Sequence, residues 1–201
     1  ACDRLAVHEP MPRLRVGILI VTAICTTAGE LVSVAVDAAG ASAAPWARGA
    51  FTEHAMHNVS AVRSLIKGMP FLQELVAGTL PKDTFAFYLT QDSLYLRQYS
   101  KVLAALAARA PTVEVTQNMA RAADMALIVE GALHEGFLAS LSAVSTEERR
   151  RTEPSPTCAA YTSHMQSLLS FAPYEVSFAS ALPCYTIYAE VGRHLLAVAP
   201  R

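Results

Sequence analysis

Apolar residues recur at helical spacing through most of the chain from Phe51 onward. The spacing predicts helices over about 81–109, 116–142 and 175–198, and a further helix that opens at Thr157 or Tyr161. No strand-like alternation, no Asn-Gly hairpin turn and no repeat of fixed length accompanies this pattern. The pattern therefore predicts an all-α helical bundle.

Glycine and proline mark the expected helix boundaries. Gly78 is placed to end one helix, because glycine readily adopts the left-handed conformation that closes a helix. Pro81 suits the first turn of the next helix, where Asp83 would lie beside the positive end of the helix dipole. Pro154 and Pro156 predict a loop before the following helix.

The first 48 residues have a different pattern. They are rich in Ala and Val, almost without aromatic residues, and show no clear helical period. The small residues and proline at 40–45 are typical of a linker. We therefore predict an N-terminal extension over 1–48 and a helical domain over 49–201.

The apolar run at 16–28 raises the question of a membrane or signal segment. It has thirteen residues, whereas a spanning helix needs about 20. Basic residues precede it, so 11–44 weakly resembles a signal peptide. Glu30 and Asp37 lie between the run and the small-residue stretch at 41–44, which argues against secretion. We predict a cytoplasmic protein with no membrane partner.

Composition narrows the class of protein. Of 201 residues, 53% are hydrophobic and 16% charged, and the mean hydropathy is +0.31, which excludes disorder as the main state. The net charge of -1 and the lack of a basic cluster argue against a nucleic-acid partner. The four cysteines form no CxxC pair and are expected to be reduced thiols.

The predicted helix over 81–109 carries a polar residue within an aromatic stripe. The stripe falls on one helical face and consists of Phe85, Tyr88, Asp92, Tyr95 and Tyr99. A buried carboxylate is costly without partners, so Asp92 must bind a tyrosine hydroxyl, a backbone donor or a ligand nitrogen. The alternatives are therefore a binding site and an aromatic core with one internally satisfied aspartate.

The segment around Pro183 is a candidate for nucleophilic chemistry. Proline inside a helical pattern removes one hydrogen bond and favours a kink that exposes the next turn. Cys184 stands in that turn, and Tyr188 lies one turn later on the same face. Cys184 is therefore a candidate nucleophile, and a buried, inert thiol is the alternative.

Two further pairs have the spacing of metal ligands on a helix. Glu130 with His134, and Glu190 with His194, are each four residues apart. A metal-dependent oxidase is therefore one function hypothesis. Such pairs more often form hydrogen bonds along a helix surface, and we predict no metal site.

Three groups of residues, in the same order and with similar gaps, resemble the TenA/thiaminase II family. They are 81–95, then 154–157 with 161–165, then 182–185 with 188–192. The resemblance covers about residues 52–198. It implies a heme-oxygenase-like helical bundle, a homotetramer, and a role in thiamin salvage without a metal or organic cofactor.

The resemblance also implies an activity and a site. The family hydrolyses aminopyrimidines, including thiamin itself. From their positions in the family's motifs, Asp92 would bind the aminopyrimidine and Cys184 would attack it. Lining the pocket would be Tyr95, Tyr161 and Tyr188. The residue chemistry agrees, because a carboxylate pairs well with an aminopyrimidine and a thiolate can add to an electron-poor ring.

Family members continue beyond the position of Val198, where they supply a glutamate for proton transfer and another tyrosine. We therefore expect a bundle that is partial at its C-terminus, in which Glu190 is too close to the kink to be assumed a substitute. The leading hypothesis is an aminopyrimidine hydrolase. The alternative is a non-catalytic helical relative that binds a pyrimidine or a partner.

Overall fold

The computed structural model describes residues 50–141 and 151–198. These ranges contain the helices α1 Ala50–Asn58, α2 Ser60–Lys67, α3 Pro70–Ala77, α4 Lys82–Arg109, α5 Val113–Leu141, α6 Pro156–Phe171 and α7 Tyr174–Val198. This described part of the chain contains no strand, so the predicted all-α fold is confirmed. The predicted extension over 1–48 lies outside the described residues, and the domain boundary stays a prediction.

The predicted breaks lie at or next to observed helix ends. Gly78 ends α3 in the left-handed region, with φ of 69°. Pro81 is extended and immediately precedes α4, one position before the expected first turn. Helix α6 begins at Pro156, where the Ser155 hydroxyl accepts a hydrogen bond from the Cys158 N–H.

Helix α4 is the centre of the bundle. It packs most extensively against α5 and also contacts α6 and α7. Its buried residues recur every three or four positions, at Phe85, Leu89, Asp92, Leu96, Tyr99, Leu103 and Leu106. Each fully buried leucine stabilises the fold by roughly 1.5–3 kcal/mol. This packing holds α4, with its polar Asp92, rigidly against the neighbouring helices.

Arg109, at the end of α4, joins α4 to the α6–α7 connection. Its Nη1 donates to the Leu169 carbonyl at 2.9 Å and to Ser177 Oγ at 3.2 Å. Its Nη2 donates to the Ala172 carbonyl at 2.7 Å. One guanidinium therefore satisfies two carbonyls at the end of α6 and fixes the start of α7.

None of the helices within 50–141 and 151–198 combines the length and apolar character required to span a membrane.

We expect Arg109→Met to destabilise the fold. Methionine keeps most of the side-chain stem but loses three charge-assisted hydrogen bonds, so the free energy of unfolding should fall by about 2 kcal/mol. Urea denaturation followed by circular dichroism measures this. Arg121→Met, at an exposed position of α5, is the matched control and should change stability by less than about 0.5 kcal/mol. Equal effects of the two substitutions would contradict this role for Arg109.

Candidate active site

Helices α4 and α7 bring the central candidate residues together. Asp92 on α4 is only 7% exposed. The Tyr188 hydroxyl on α7 donates to Asp92 Oδ1 at 3.4 Å. Cys184 lies one helical turn before Tyr188, and the Asp92 carboxylate is close enough to influence its thiol. The residues that the sequence singled out on two separate helices therefore share one site.

Tyrosine rings of α4 and α6 stack on one another close to Cys184. Tyr95 on α4 stacks on Tyr161 of α6, with ring centroids 5.5 Å apart and planes 11° apart. Tyr95 also stacks on Tyr99 at 5.3 Å. The hydroxyl oxygens of Tyr95 and Tyr161 are buried. The Tyr95 hydroxyl lies close enough to the Tyr161 hydroxyl and to the Cys184 thiol to lower the pKa of each.

Cys184 is protonated at neutral pH in this environment. The pKa of its thiol is raised to about 12, chiefly by burial; the hydrogen bond from Tyr95 opposes this rise, the charge of Asp92 adds to it, and the hydrogen bond from Tyr99 opposes it again. Tyr99 also donates to the Ala181 carbonyl at 2.8 Å. Tyr95 is therefore the hydroxyl best placed to stabilise a Cys184 thiolate.

Pro183, where the sequence predicts a kink, lies inside a continuous helix. Helix α7 runs from Tyr174 through Pro183 to Val198 as one element. Cys184 is half-buried and forms no disulfide. Cys184 packs against the buried cluster that contains Tyr95 and Tyr99.

Gln91 is a site-supporting residue that sequence reasoning missed. Its side-chain oxygen accepts from the Ser155 N–H at 2.7 Å, and its side-chain nitrogen donates to the Glu153 carbonyl at 3.2 Å. These bonds attach the start of α6, and with it Tyr161, to the α4 position next to Asp92. The partners are 62 and 64 residues away in sequence, so no local motif reveals them.

Glu190 is held by two cations of α2. Its carboxylate accepts from Arg63 Nε at 2.6 Å and also pairs with Lys67 Nζ. The hydrogen bond from Arg63, and then that from Lys67, outweigh burial and lower the pKa of Glu190. Glu190 therefore stays ionised at neutral pH and is a poor proton donor. Its structural role differs from the metal pairing with His194 that its spacing allows.

The other spaced pair, Glu130 with His134, lies on α5 outside the described side chains. Among the side chains that are described, no three or more His, Cys, Asp or Glu residues gather into a potential metal site.

A separate cavity of about 230 Å³ lies between α2, α3 and the end of α7. Its lining residues are Lys67, Leu72, Gln73, Val76, His194, Leu195 and Val198. None of the predicted site residues lines this cavity.

Fold and site together define a class: an all-α bundle in which a cysteine and an aspartate lie among tyrosines contributed by three helices. The sequence model of the TENA/THI-4/PQQC family matches residues 60–200, and the chain belongs to this family. The heme-oxygenase-like helical fold that the sequence resemblance implied is the fold of this family.

The chain is also similar to curated proteins. It is 43% identical over 127 residues to an aminopyrimidine aminohydrolase of Bacillus subtilis (strain 168), covering 63% of this chain and 53% of that protein. It is 32% identical over 123 residues to an aminopyrimidine aminohydrolase of Halalkalibacterium halodurans, covering 61% and 54%. It is 38% identical over 122 residues to the thiamine biosynthesis multifunctional protein ThiED of Corynebacterium efficiens, covering 61% and 16%. The chain spans about half the length of the two aminohydrolases.

We expect the alkylation rate of Cys184 to rise about tenfold per pH unit from about pH 8 to pH 10 without levelling. Only the thiolate reacts, and its fraction grows in this way well below a pKa of about 12. Iodoacetamide labelling followed by peptide mass spectrometry measures the rate at each pH.

The Tyr95→Phe variant is the control for the tyrosine contribution. Loss of a hydroxyl that lowers the thiol pKa should slow Cys184 labelling about fivefold throughout this range. A parent labelling rate that levels off below about pH 10 would show that the pKa of the Cys184 thiol is not raised.

Proposed function

We propose that this chain hydrolyses aminopyrimidines in thiamin salvage, converting aminomethyl-aminopyrimidine to hydroxymethyl pyrimidine, with thiamin as a further substrate of the same site. The observation that carries the proposal is the contact between Tyr188 and Asp92, because it brings the α4 carboxylate to the helix turn that carries Cys184. The names of the two aminohydrolase relatives support the same activity.

Asp92 is the proposed anchor for the pyrimidine. An aminopyrimidine presents an amino donor beside a basic ring nitrogen, and a carboxylate can accept from both when the nitrogen is protonated. The low exposure of Asp92 strengthens such a pair, because water competes little. Tyr95 and Tyr161 provide flat surfaces for the ring, and Tyr188 holds one carboxylate oxygen in place.

Cys184 is the proposed nucleophile. Its sulfur bonds to an electron-poor ring carbon, and the displaced electron pair expels the amine from the exocyclic methylene. The thiol proton is transferred to the departing amine. Water then adds to the methylene, the carbon–sulfur bond breaks, and a proton from that water restores the thiol. The overall reaction consumes one water and releases ammonia.

The proton must be carried between the sulfur and the departing amine. Glu190 is poorly suited to this task, because Arg63 and Lys67 hold its carboxylate ionised. The family resemblance assigns the transfer to a glutamate in a segment that follows the position of Val198. We therefore propose that full turnover requires that carboxylate.

A second function is favoured by one observation. Burial raises the pKa of the Cys184 thiol to about 12, so the nucleophile is almost entirely protonated at neutral pH. Without a base, this site would bind a pyrimidine and turn it over slowly. A pyrimidine-binding relative without efficient catalysis is therefore the alternative, and binding without turnover would identify it.

The proposal also covers the ligand, the cofactor requirement, the cellular location and the oligomeric state. The ligand is a small aminopyrimidine or thiamin, the reaction needs no cofactor, and the protein acts in the cytoplasm as a homo-oligomer, a tetramer in the family. Exposed apolar side chains along α2, among them Val62 and Leu65, are consistent with self-association.

We expect Asp92→Asn to weaken binding of the hydroxymethyl pyrimidine by about 10- to 100-fold, because a charge-assisted hydrogen-bonded pair is lost. Isothermal titration calorimetry measures the Kd. Asp124→Asn, at an exposed position of α5, is the matched control and should leave the Kd unchanged. Equal affinity of Asp92→Asn and the parent would show that Asp92 does not bind the pyrimidine.

We expect Cys184→Ser to reduce ammonia release from aminomethyl-aminopyrimidine by about 10³-fold or more while it retains product binding, because nucleophile loss affects chemistry more than affinity. Cys158→Ser is the matched control, since Cys158 is also a half-buried free thiol, and it should retain the parent rate. Hydrolysis that survives in Cys184→Ser would exclude the nucleophile assignment.

A further inference from the structure

Tyr88 extends the hydrogen bonding of the site beyond the residues that the sequence predicted. It lies one helical turn before Asp92 on α4. Its hydroxyl is 3.2 Å from the Tyr188 hydroxyl, which in turn lies 3.4 Å from Asp92 Oδ1. Three side chains from two helices therefore form a continuous row of hydrogen bonds.

The direction of these bonds follows from the number of protons. Tyr188 has one hydroxyl proton, and it donates that proton to the Asp92 carboxylate. Its contact with Tyr88 can then be a hydrogen bond only if Tyr88 is the donor. Burial and the charge of Asp92 raise the pKa of Tyr88 well above its ordinary value, so Tyr88 retains the proton to donate.

The Tyr88 ring is held by its own packing. It lies 5.1 Å from the Phe71 ring of α3 and 6.3 Å from the Phe85 ring of α4, measured between centroids. These contacts involve the ring and leave the hydroxyl to meet Tyr188. The position of the hydroxyl is therefore set by α3 and α4 together.

We propose that Tyr88 is a positioning residue of the aminopyrimidine site. By donating a hydrogen bond to the Tyr188 hydroxyl oxygen, it keeps the Tyr188 hydroxyl proton directed toward the Asp92 carboxylate. The inference rests on the proposed function and adds a residue to it. Tyr188 stands one helical turn after Cys184 on α7, so an unrestrained hydroxyl could turn toward the sulfur. Tyr88 removes this freedom and keeps the carboxylate oriented for the ligand.

The test is a double-mutant cycle read by calorimetry with the hydroxymethyl pyrimidine. Tyr88→Phe retains the ring between Phe71 and Phe85 and loses only the hydroxyl. It should weaken binding about fivefold, the size of effect expected for one hydrogen bond. Tyr188→Phe should weaken binding about tenfold or more. The double variant should bind like Tyr188→Phe alone, within about twofold, because Tyr88 acts through Tyr188.

The matched control is Tyr174→Phe. The Tyr174 hydroxyl is also buried but forms no hydrogen bond with any described residue, and its ring packs on Phe178. Its removal should leave the Kd unchanged. Thermal unfolding of each variant verifies that the protein is folded at the titration temperature.

Two sets of results would overturn the proposal in different ways. Parent-like binding by Tyr88→Phe, or single effects that multiply in the double variant, would show that Tyr88 does not act through Tyr188, while the proposed function stands. Parent-like binding by both Asp92→Asn and Tyr188→Phe would remove the site itself, and with it both proposals.

Discussion

The site depends on how a carboxylate is accommodated inside a helical bundle. Burying an ionisable group among apolar side chains is unfavourable unless hydrogen bonds compensate. At Asp92 part of that compensation comes from Tyr188, across the boundary between α4 and α7. This hydrogen bond connects α4, which carries Asp92, to α7, which carries Cys184 and Tyr188. Tyr95, Tyr99 and Tyr161 belong to the neighbouring core, whose other members are mostly apolar.

The same burial sets the state of the cysteine. An environment that excludes water strengthens the pairing of a bound aminopyrimidine with Asp92 but disfavours a free thiolate. Burial raises the pKa of the Cys184 thiol, and the hydrogen bond from the Tyr95 hydroxyl lowers it. If the proposed function is correct, this burial favours binding of a flat, weakly basic ligand, and the proposed chemistry at sulfur needs a proton acceptor in the complex.

Local sequence signals predicted the elements well, because their causes are local. The period of the apolar residues predicted α4, Gly78 predicted the end of α3, and the spacing of Asp92 within an aromatic stripe predicted a polar residue that needs a partner. The partners themselves could not be predicted in this way. Tyr88 meets Tyr188 across 100 residues of sequence, and Arg63 meets Glu190 across 127. Such contacts depend on how helices pack. The sequence pattern marked Asp92 and Cys184 as candidates, and their specific proposed roles came from a family resemblance.

The most direct test of the account is a crystal structure of the chain with bound hydroxymethyl pyrimidine. The account predicts the ring stacked on the tyrosines, its amino group within hydrogen-bonding distance of the Asp92 carboxylate, and a ring carbon next to Cys184 Sγ. A pyrimidine bound instead in the cavity lined by Lys67 and His194, with the Asp92 site empty, would contradict it.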